Sequence, residues 1–166
     1  MAALMTLAYT LLKSGDKVVC SRNIFGSSIK FFDSYTVKFG VEVVYVDATD
    51  YDGWEAMVDD RTRLCYFETP SNPLLTITDV KGVADLAKKK GILSMIDNTF
   101  ASPVNQNPID LGVDVVVHSA TKYMGGHSDI CAGVVAASQT HKEPVWQTGM
   151  CFGGSLRSDR GWAVRR

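Results

Sequence analysis

An excess of charge of either sign is missing from this chain, in which 17 lysines and arginines face 18 aspartates and glutamates over 166 residues. No basic stripe is available to follow a phosphate backbone, which argues against nucleic acid as a partner. Long apolar runs are also scarce. The longest, Ala2 to Leu12, is too short to cross a bilayer. No basic segment precedes it as in a secretory leader, and Lys13-Ser14-Gly15-Asp16 follows it like a helix end and turn. A soluble, cytoplasmic protein is therefore expected, with no membrane partner. Cysteine is sparse: Cys20, Cys65, Cys131 and Cys151 are scattered with no CxxC pair, so zinc and dithiol chemistry lack a ligand set. All four are expected to be reduced, buried small hydrophobes. His118, His127 and His141 lack the two-histidine helical spacing of a metalloprotease, and no GxSxG, GxGxxG or Walker sequence occurs. Hydrophobic residues still make up 46% of the chain, enough at this length for one sizeable core.

What is present is a series of short apolar runs that close on polar residues. Val113-Asp114-Val115-Val116-Val117-His118 is β-branched and almost continuously apolar, as in a parallel strand buried on both faces. Just beyond it, Lys122 stands in Ser119-Ala120-Thr121-Lys122-Tyr123-Met124-Gly125-Gly126-His127. A lysine in a glycine-bearing loop is ordinarily only solvated. Here its position matters, because ligands of open α/β sheets bind beyond the carboxyl ends of the strands. Two earlier runs end the same way: Ile92 to Ile96 closes on Asp97-Asn98-Thr99, and Arg63 to Phe67 closes on Glu68-Thr69-Pro70-Ser71-Asn72-Pro73. Between them, Asp79 to Lys90 has helical apolar spacing, with Asp79 as N-cap and Gly91 as stop. Strand, helix, strand makes parallel neighbours, so Asn72, Asp97 and Lys122 can converge on one ligand of ring size.

A carboxylate leaving a buried run needs a cation or proton donor to offset its desolvation. Asp97 could find this in its own turn, through Asn98 and Thr99, or in a pyridinium nitrogen. Pyridoxal phosphate chemistry joins these requirements: a lysine that condenses with the aldehyde, and an acid that keeps the ring nitrogen protonated so the ring withdraws electrons. Ser119 and Thr121 place hydroxyls beside the lysine that suit phosphate oxygens, or ordinary bonds to nearby backbone.

The run from Glu68 to Gly133, with ETPSNP, IDNTFASP, NPIDLGVDVVVHSATKYMGGHSD and ICAGVV, resembles the Cys/Met-metabolism pyridoxal phosphate enzymes. These include cystathionine γ-synthase, cystathionine γ-lyase, methionine γ-lyase and the homoserine-ester sulfhydrylases. The resemblance covers nearly the whole chain. It implies that Lys122 carries the cofactor and moves protons, that Asp97 pairs with the ring nitrogen, and that Ser119 and Thr121 bind phosphate. Asn72 is then placed by the phenolic oxygen. The family usually stacks a tyrosine on the ring, where Asn23-Ile24-Phe25-Gly26-Ser27-Ser28 has Phe25. Phe25 keeps a stacking face but loses an acidic hydroxyl that can assist proton transfer. An FG pair here looks most like the O-succinylhomoserine sulfhydrylase branch. Phe31, Phe32, Tyr35 and Phe39 have the spacing of a helix's packing face.

The expected elements are helices over 2–13, 27–38, 51–58 and 79–90, one starting near Gln139, and strands over 17–21, 41–46, 63–67, 92–96, 113–118 and 130–136. They compose a doubly wound, mostly parallel α/β sheet with helices on both faces. That is the large domain of the aspartate-aminotransferase-like fold, fold type I, and the resemblance makes 130–136 its antiparallel strand. Residues 1–156 are expected to be this cofactor-binding domain, incomplete at its N-terminus, and 157–166 a divergent tail with Arg157, Arg160, Arg165 and Arg166 solvated. The family's small C-terminal domain is absent from the sequence given. The family also has a Ser-Gly pair just before the stretch matching Met1-Ala2-Ala3, so Met1 falls at the helix start whose backbone amides face the phosphate. The expected activity is γ-replacement on an activated homoserine ester, giving homocysteine or cystathionine. The alternatives are γ-elimination to a 2-oxo acid, ammonia and thiol, or a non-catalytic fragment. An amino acid substrate and a homotetramer built of dimers follow from the resemblance alone.

Overall fold

The computed structural model describes residues 1–165, with Arg165 described only for its backbone. Six strands form one sheet in the order β2-β1-β3-β4-β5-β6: β1 Lys17–Ser21, β2 Glu42–Val46, β3 Thr62–Glu68, β4 Leu93–Asp97, β5 Val115–Ser119 and β6 Gly133–Ala137. The first five are mutually parallel and β6 pairs antiparallel with β5. The mostly parallel α/β sheet and its one reversed strand thus match expectation.

Helices α1 Ala2–Leu11, α2 Gly26–Phe31, α3 Tyr51–Met57, α4 Val80–Lys90, α5 Ser102–Asn105, α6 Gln139–Phe152 and α7 Ser158–Arg165 complete the chain. They cover both faces. Alternation along the strands sends Val18, Leu64, Tyr66, Met95 and Val115 to one core with Leu4, Leu7, Phe32 and Val145. It sends Val19, Cys65, Phe67, Ile96 and Val116 to the other, against Trp54 and the α4 residues Val83 and Leu86. As expected, α4 starts at Asp79, whose side chain accepts the Gly82 amide at 3.0 Å, and stops at left-handed Gly91.

Several expectations are corrected. The helix over 27–38 is not continuous: α2 ends at Phe31, a π-helical turn spans Phe32–Thr36, and a 3₁₀ turn spans Val37–Phe39. The Thr36 hydroxyl donates to the Phe32 carbonyl at 2.6 Å within the widened turn. The change of pitch rotates the aromatic row, so Phe31 and Phe32 are buried while Tyr35 and Phe39 are exposed. The strand expected from Val113 starts at Val115 because Asp114 bridges sideways, accepting from the amide and hydroxyl of Ser94, both at 2.8 Å. Cys20 and Cys65 are buried and free, but Cys131 and Cys151 are exposed, since one lies before β6 and the other on an outward position of α6. Arg157 and Arg160 are exposed in or beside α7, and Arg160 Nη1 donates to the Asp129 carbonyl at 3.0 Å. The Arg165 side chain and Arg166 lie outside the described residues. Among the described residues, no helix is long and apolar enough to cross a membrane, and no His, Cys, Asp and Glu cluster could hold a metal ion.

Candidate active site

Three neighbouring strands deliver polar residues to one rim of the sheet. Glu68 ends β3, Asp97 ends β4 and Ser119 ends β5, with Glu68 in register with Asp97 and Asp97 with Val117. The chain then turns, and the Lys122 amide donates to the Ser119 carbonyl at 3.0 Å. Gly125 closes the turn by donating to the Ala120 carbonyl at 2.8 Å. A Cβ at Gly125 would lie 2.7 Å from that oxygen and 2.7 Å from Ile130 Cδ1, so only glycine allows the approach. Lys122 is exposed, and its ammonium has no hydrogen bond or ion pair among the described residues.

Asp97 takes the first of the two roles left open for it. Its Oδ1 accepts the Thr99 amide at 2.9 Å and the Thr99 hydroxyl, so it does cap its own turn. Thr99 Oγ1 in turn accepts the Ser119 amide at 2.8 Å, linking the ends of β4 and β5. Beneath them, buried Asn98 locks to Gln106 through two bonds, one from Nδ2 to the Gln106 carbonyl at 3.0 Å and one from Gln106 Nε2 at 2.7 Å. Burial nevertheless raises the Asp97 pKa above its ordinary value. The Thr99 bonds oppose this, as do the His118 ring and the Met1 amino group to a smaller degree. No lysine or arginine pairs with Asp97 among the described residues. His118 is held below its ordinary value by burial, and its Nδ1 lacks a partner among the described residues.

Glu68 was overlooked in the sequence. Only 3% exposed, it accepts the Phe25 amide on Oε2 at 2.7 Å and the Asn72 amide on Oε1 at 3.0 Å. Burial pushes its carboxyl up to about 7, and neighbouring Asp97 adds to the rise. A sequence signal existed: Glu68 closes an apolar run as Asp97 does. Thr99 was noticed only as part of a turn, and the hydroxyl spaced two residues after a strand-end aspartate was its cue.

The remaining expected residues occupy the same rim or its approaches. Phe25 is 44% exposed and precedes the first turn of α2. Asn72 lies in a loop braced by the Ser71 amide bonded to the Thr76 carbonyl and the Thr76 amide bonded to Ser71 Oγ, both at 3.0 Å. Met1 starts α1 and is exposed, and its amino group acts on Asp97. Ser119 Oγ has no partner among the described residues. The Thr121 hydroxyl is engaged differently, accepting the Ala132 amide at 3.0 Å and donating to the Ala132 carbonyl at 3.3 Å, so it pins the lysine turn to the approach of β6. A cavity of about 510 Å³ between α1 and the segment from Phe31 to Phe39 is lined by Met1 but not by Asp97, Ser119 or Lys122. Its lining is mostly apolar, with Lys13 and Lys30 among it, and the polar candidates stand at the open rim instead.

This donor set fits a cationic heterocycle carrying an aldehyde and a phosphate: a half-buried carboxylate without a cation, an unpaired amine, and a free hydroxyl. The family described as Cys/Met metabolism PLP-dependent enzyme matches residues 1–166. The chain belongs to that family. Pyridoxal 5′-phosphate is accordingly its cofactor. Among relatives, the cystathionine beta-lyase MetC of Bacillus subtilis is 40% identical over all of this chain and 43% of its own length. The O-succinylhomoserine sulfhydrylase of Pseudomonas aeruginosa is 45% identical over 82% of this chain and 34% of its own. The crystal structure of cystathionine gamma-lyase from Lactobacillus plantarum complexed with L-serine superposes with a TM-score of 0.97 at 38% identity, covering 99% of this chain and 43% of that one. The match confirms the fold type I architecture. The chain spans less than half the length of these relatives, and the family members it resembles include both lyases and sulfhydrylases.

Proposed function

We propose that this chain supplies the cofactor-holding portion of an enzyme that performs γ-replacement on an activated homoserine ester, forming homocysteine or cystathionine. The observation that carries the reading is the Asp97 carboxylate: burial raises its pKa, no cationic side chain pairs with it among the described residues, and it is bonded through Thr99 to the strand end that bears the lysine turn. When bound, pyridoxal phosphate supplies an electron-withdrawing ring conjugated to the substrate's α-carbon.

Lys122 is the residue that would attach the cofactor, and its Nζ would take and return the α-proton. Asp97 would accept a hydrogen bond from the protonated ring nitrogen and hold that proton in place. Ser119 Oγ would donate to the phosphate, the Thr121 hydroxyl would steady the turn through Ala132, and the start of α1 at Met1 would bring its amides to the same group. Phe25 would cover one ring face and Asn72 would lie by the phenolic oxygen. Replacement rather than elimination is favoured by Phe25, which offers no hydroxyl to assist a departing thiol, and by the 45% identity to a sulfhydrylase. The γ-lyases and β-lyases among the relatives keep elimination as the second reading.

The test is to saturate the chain with pyridoxal phosphate, reduce with borohydride and locate the added mass by peptide mapping. The adduct is expected on Lys122 and is lost in Lys122→Ala. Attachment at another lysine would overturn the site. Products from O-succinylhomoserine and sulfide then decide the reaction: homocysteine supports replacement, and a 2-oxo acid with ammonia supports elimination. In the isolated chain turnover is expected to be weak, well below the about 1 to 10³ s⁻¹ of ordinary enzymes.

A further inference from the structure

We infer that Glu68 is a positioning residue of this site: its one buried side chain clamps the Phe25 and Asn72 segments to the end of β3, setting as a pair the two residues that flank the cofactor ring. The inference rests on the proposal that the rim is the pyridoxal phosphate site. Its two oxygens are used separately, Oε2 by the Phe25 amide at 2.7 Å and Oε1 by the Asn72 amide at 3.0 Å. The donors come from different loops, one 43 residues before Glu68 and one four residues after it. The Phe25 amide immediately precedes α2, so this bond fixes where that helix begins and how the Phe25 ring leaves the backbone. An apolar residue would strand both amides without an acceptor. Glutamine has one acceptor oxygen and could serve only one of them. A carboxylate is the side chain of this reach that serves both.

The surroundings make the clamp responsive. The titratable group acting on the Glu68 carboxyl is Asp97 on β4, with no cation paired to it among the described residues. Near neutrality the group therefore exchanges between a charged form with two good acceptors and a protonated form with one. A cation seated against Asp97 favours the charged form, so cofactor binding and clamping reinforce each other.

The experiment measures amide hydrogen exchange by NMR in the full 166-residue chain and in Glu68→Gln, both without ligand. Protection at Phe25, Asn72 or both is expected to fall about tenfold or more, with Ile96 and Val116 unchanged. Unchanged protection at both amides overturns the clamp, whatever the cofactor does. Pyridoxal phosphate is the second probe. Its dissociation constant is expected to rise about tenfold in Glu68→Gln while borohydride still fixes it on Lys122. Equal affinity in the two chains overturns the positioning role. An unaltered chain that never attaches the cofactor at Lys122 removes the cofactor reading and leaves the clamp to be judged on the amides. If Glu68→Gln loses protection at Ile96 and Val116, and so fails to fold, the amide proton shifts of Phe25 and Asn72 are followed against pH in the unaltered chain. One shared midpoint supports the clamp, and separate midpoints or flat curves overturn it.

Discussion

The two ends of the parallel strands handle charge in opposite ways. At the amino end, Lys17 meets Asp59 at 3.1 Å, Arg61 meets Glu42 at 2.7 Å and Arg63 meets Asp16 at 3.5 Å. Each of these three cations has a carboxylate, and the Asp59 carboxyl is held down to about 2, chiefly by its bond from Lys17. At the carboxyl end, Glu68 and Asp97 stand in register on adjacent strands with only amides and a hydroxyl to bond. Both carboxyls are pushed up by burial. One end is complete in its electrostatics and serves the fold, and the other is incomplete without a cation. That asymmetry singles out the proposed rim more clearly than cavity shape does, because the open cavity beside α1 is mostly apolar and is not lined by Asp97, Ser119 or Lys122.

The contrast can be broken most severely at Asp97. Asp97→Asn keeps an Oδ1 to accept both Thr99 bonds but removes the charge. Pyridoxal phosphate affinity is expected to drop at least tenfold by absorbance titration, while the melting temperature of the ligand-free chain rises by about 2 to 4 °C, for roughly 1 kcal/mol of relieved burial. A fall in both would refute the idea that this carboxylate is held uncompensated.

Titration with acid tests both ends at once. A carboxyl raised in the folded state binds more protons there than in the unfolded chain, so its contribution to stability grows as pH falls. For Glu68 the window runs from about 7 down to its ordinary 4.5. The change is worth up to roughly 3 kcal/mol, and Asp97 acts in the same direction. Asp59 has the opposite sign: its contribution is present above 3.8 and is lost as pH falls through about 2. Denaturant midpoints are therefore expected to rise from neutral pH toward about 5 and to decline in stronger acid. Glu68→Gln should flatten the first limb only.

The smallest effect is expected from the paired end. Asp59→Asn leaves the buried Lys17 ammonium without its carboxylate and should lower the melting temperature by a few degrees. Cofactor affinity should stay unchanged. A loss of affinity there would erase the distinction between the two ends.

Much of this was legible in the sequence because it depends on local pattern. Apolar runs such as Arg63 to Phe67 and Ile92 to Ile96 declare strands through burial on both faces, and Asp79 with Gly91 brackets a helix through its own backbone needs. Asp97 and Lys122 could be read because each follows such a run. The hidden parts are contacts over distance. Glu68 reaches an amide 43 residues away, and Asp114 leaves the strand pattern to bind Ser94, 20 residues before it. The π-helical turn at Phe32–Thr36 left no trace in the aromatic spacing, since a widened turn changes phase without changing residue type.

The strand order has one more consequence. β3, β4 and β5 each have a partner on both flanks, whereas β2 and β6 form the margins. Wear at the β2 border, by truncation or by a poorly tolerated graft, is absorbed with β1 still between it and the seam that carries Glu68, Asp97 and Ser119, whereas β6 adjoins Ser119 and its approach pins the lysine turn through Thr121. The proposed site is thereby insulated from one margin of its scaffold and fastened to the other.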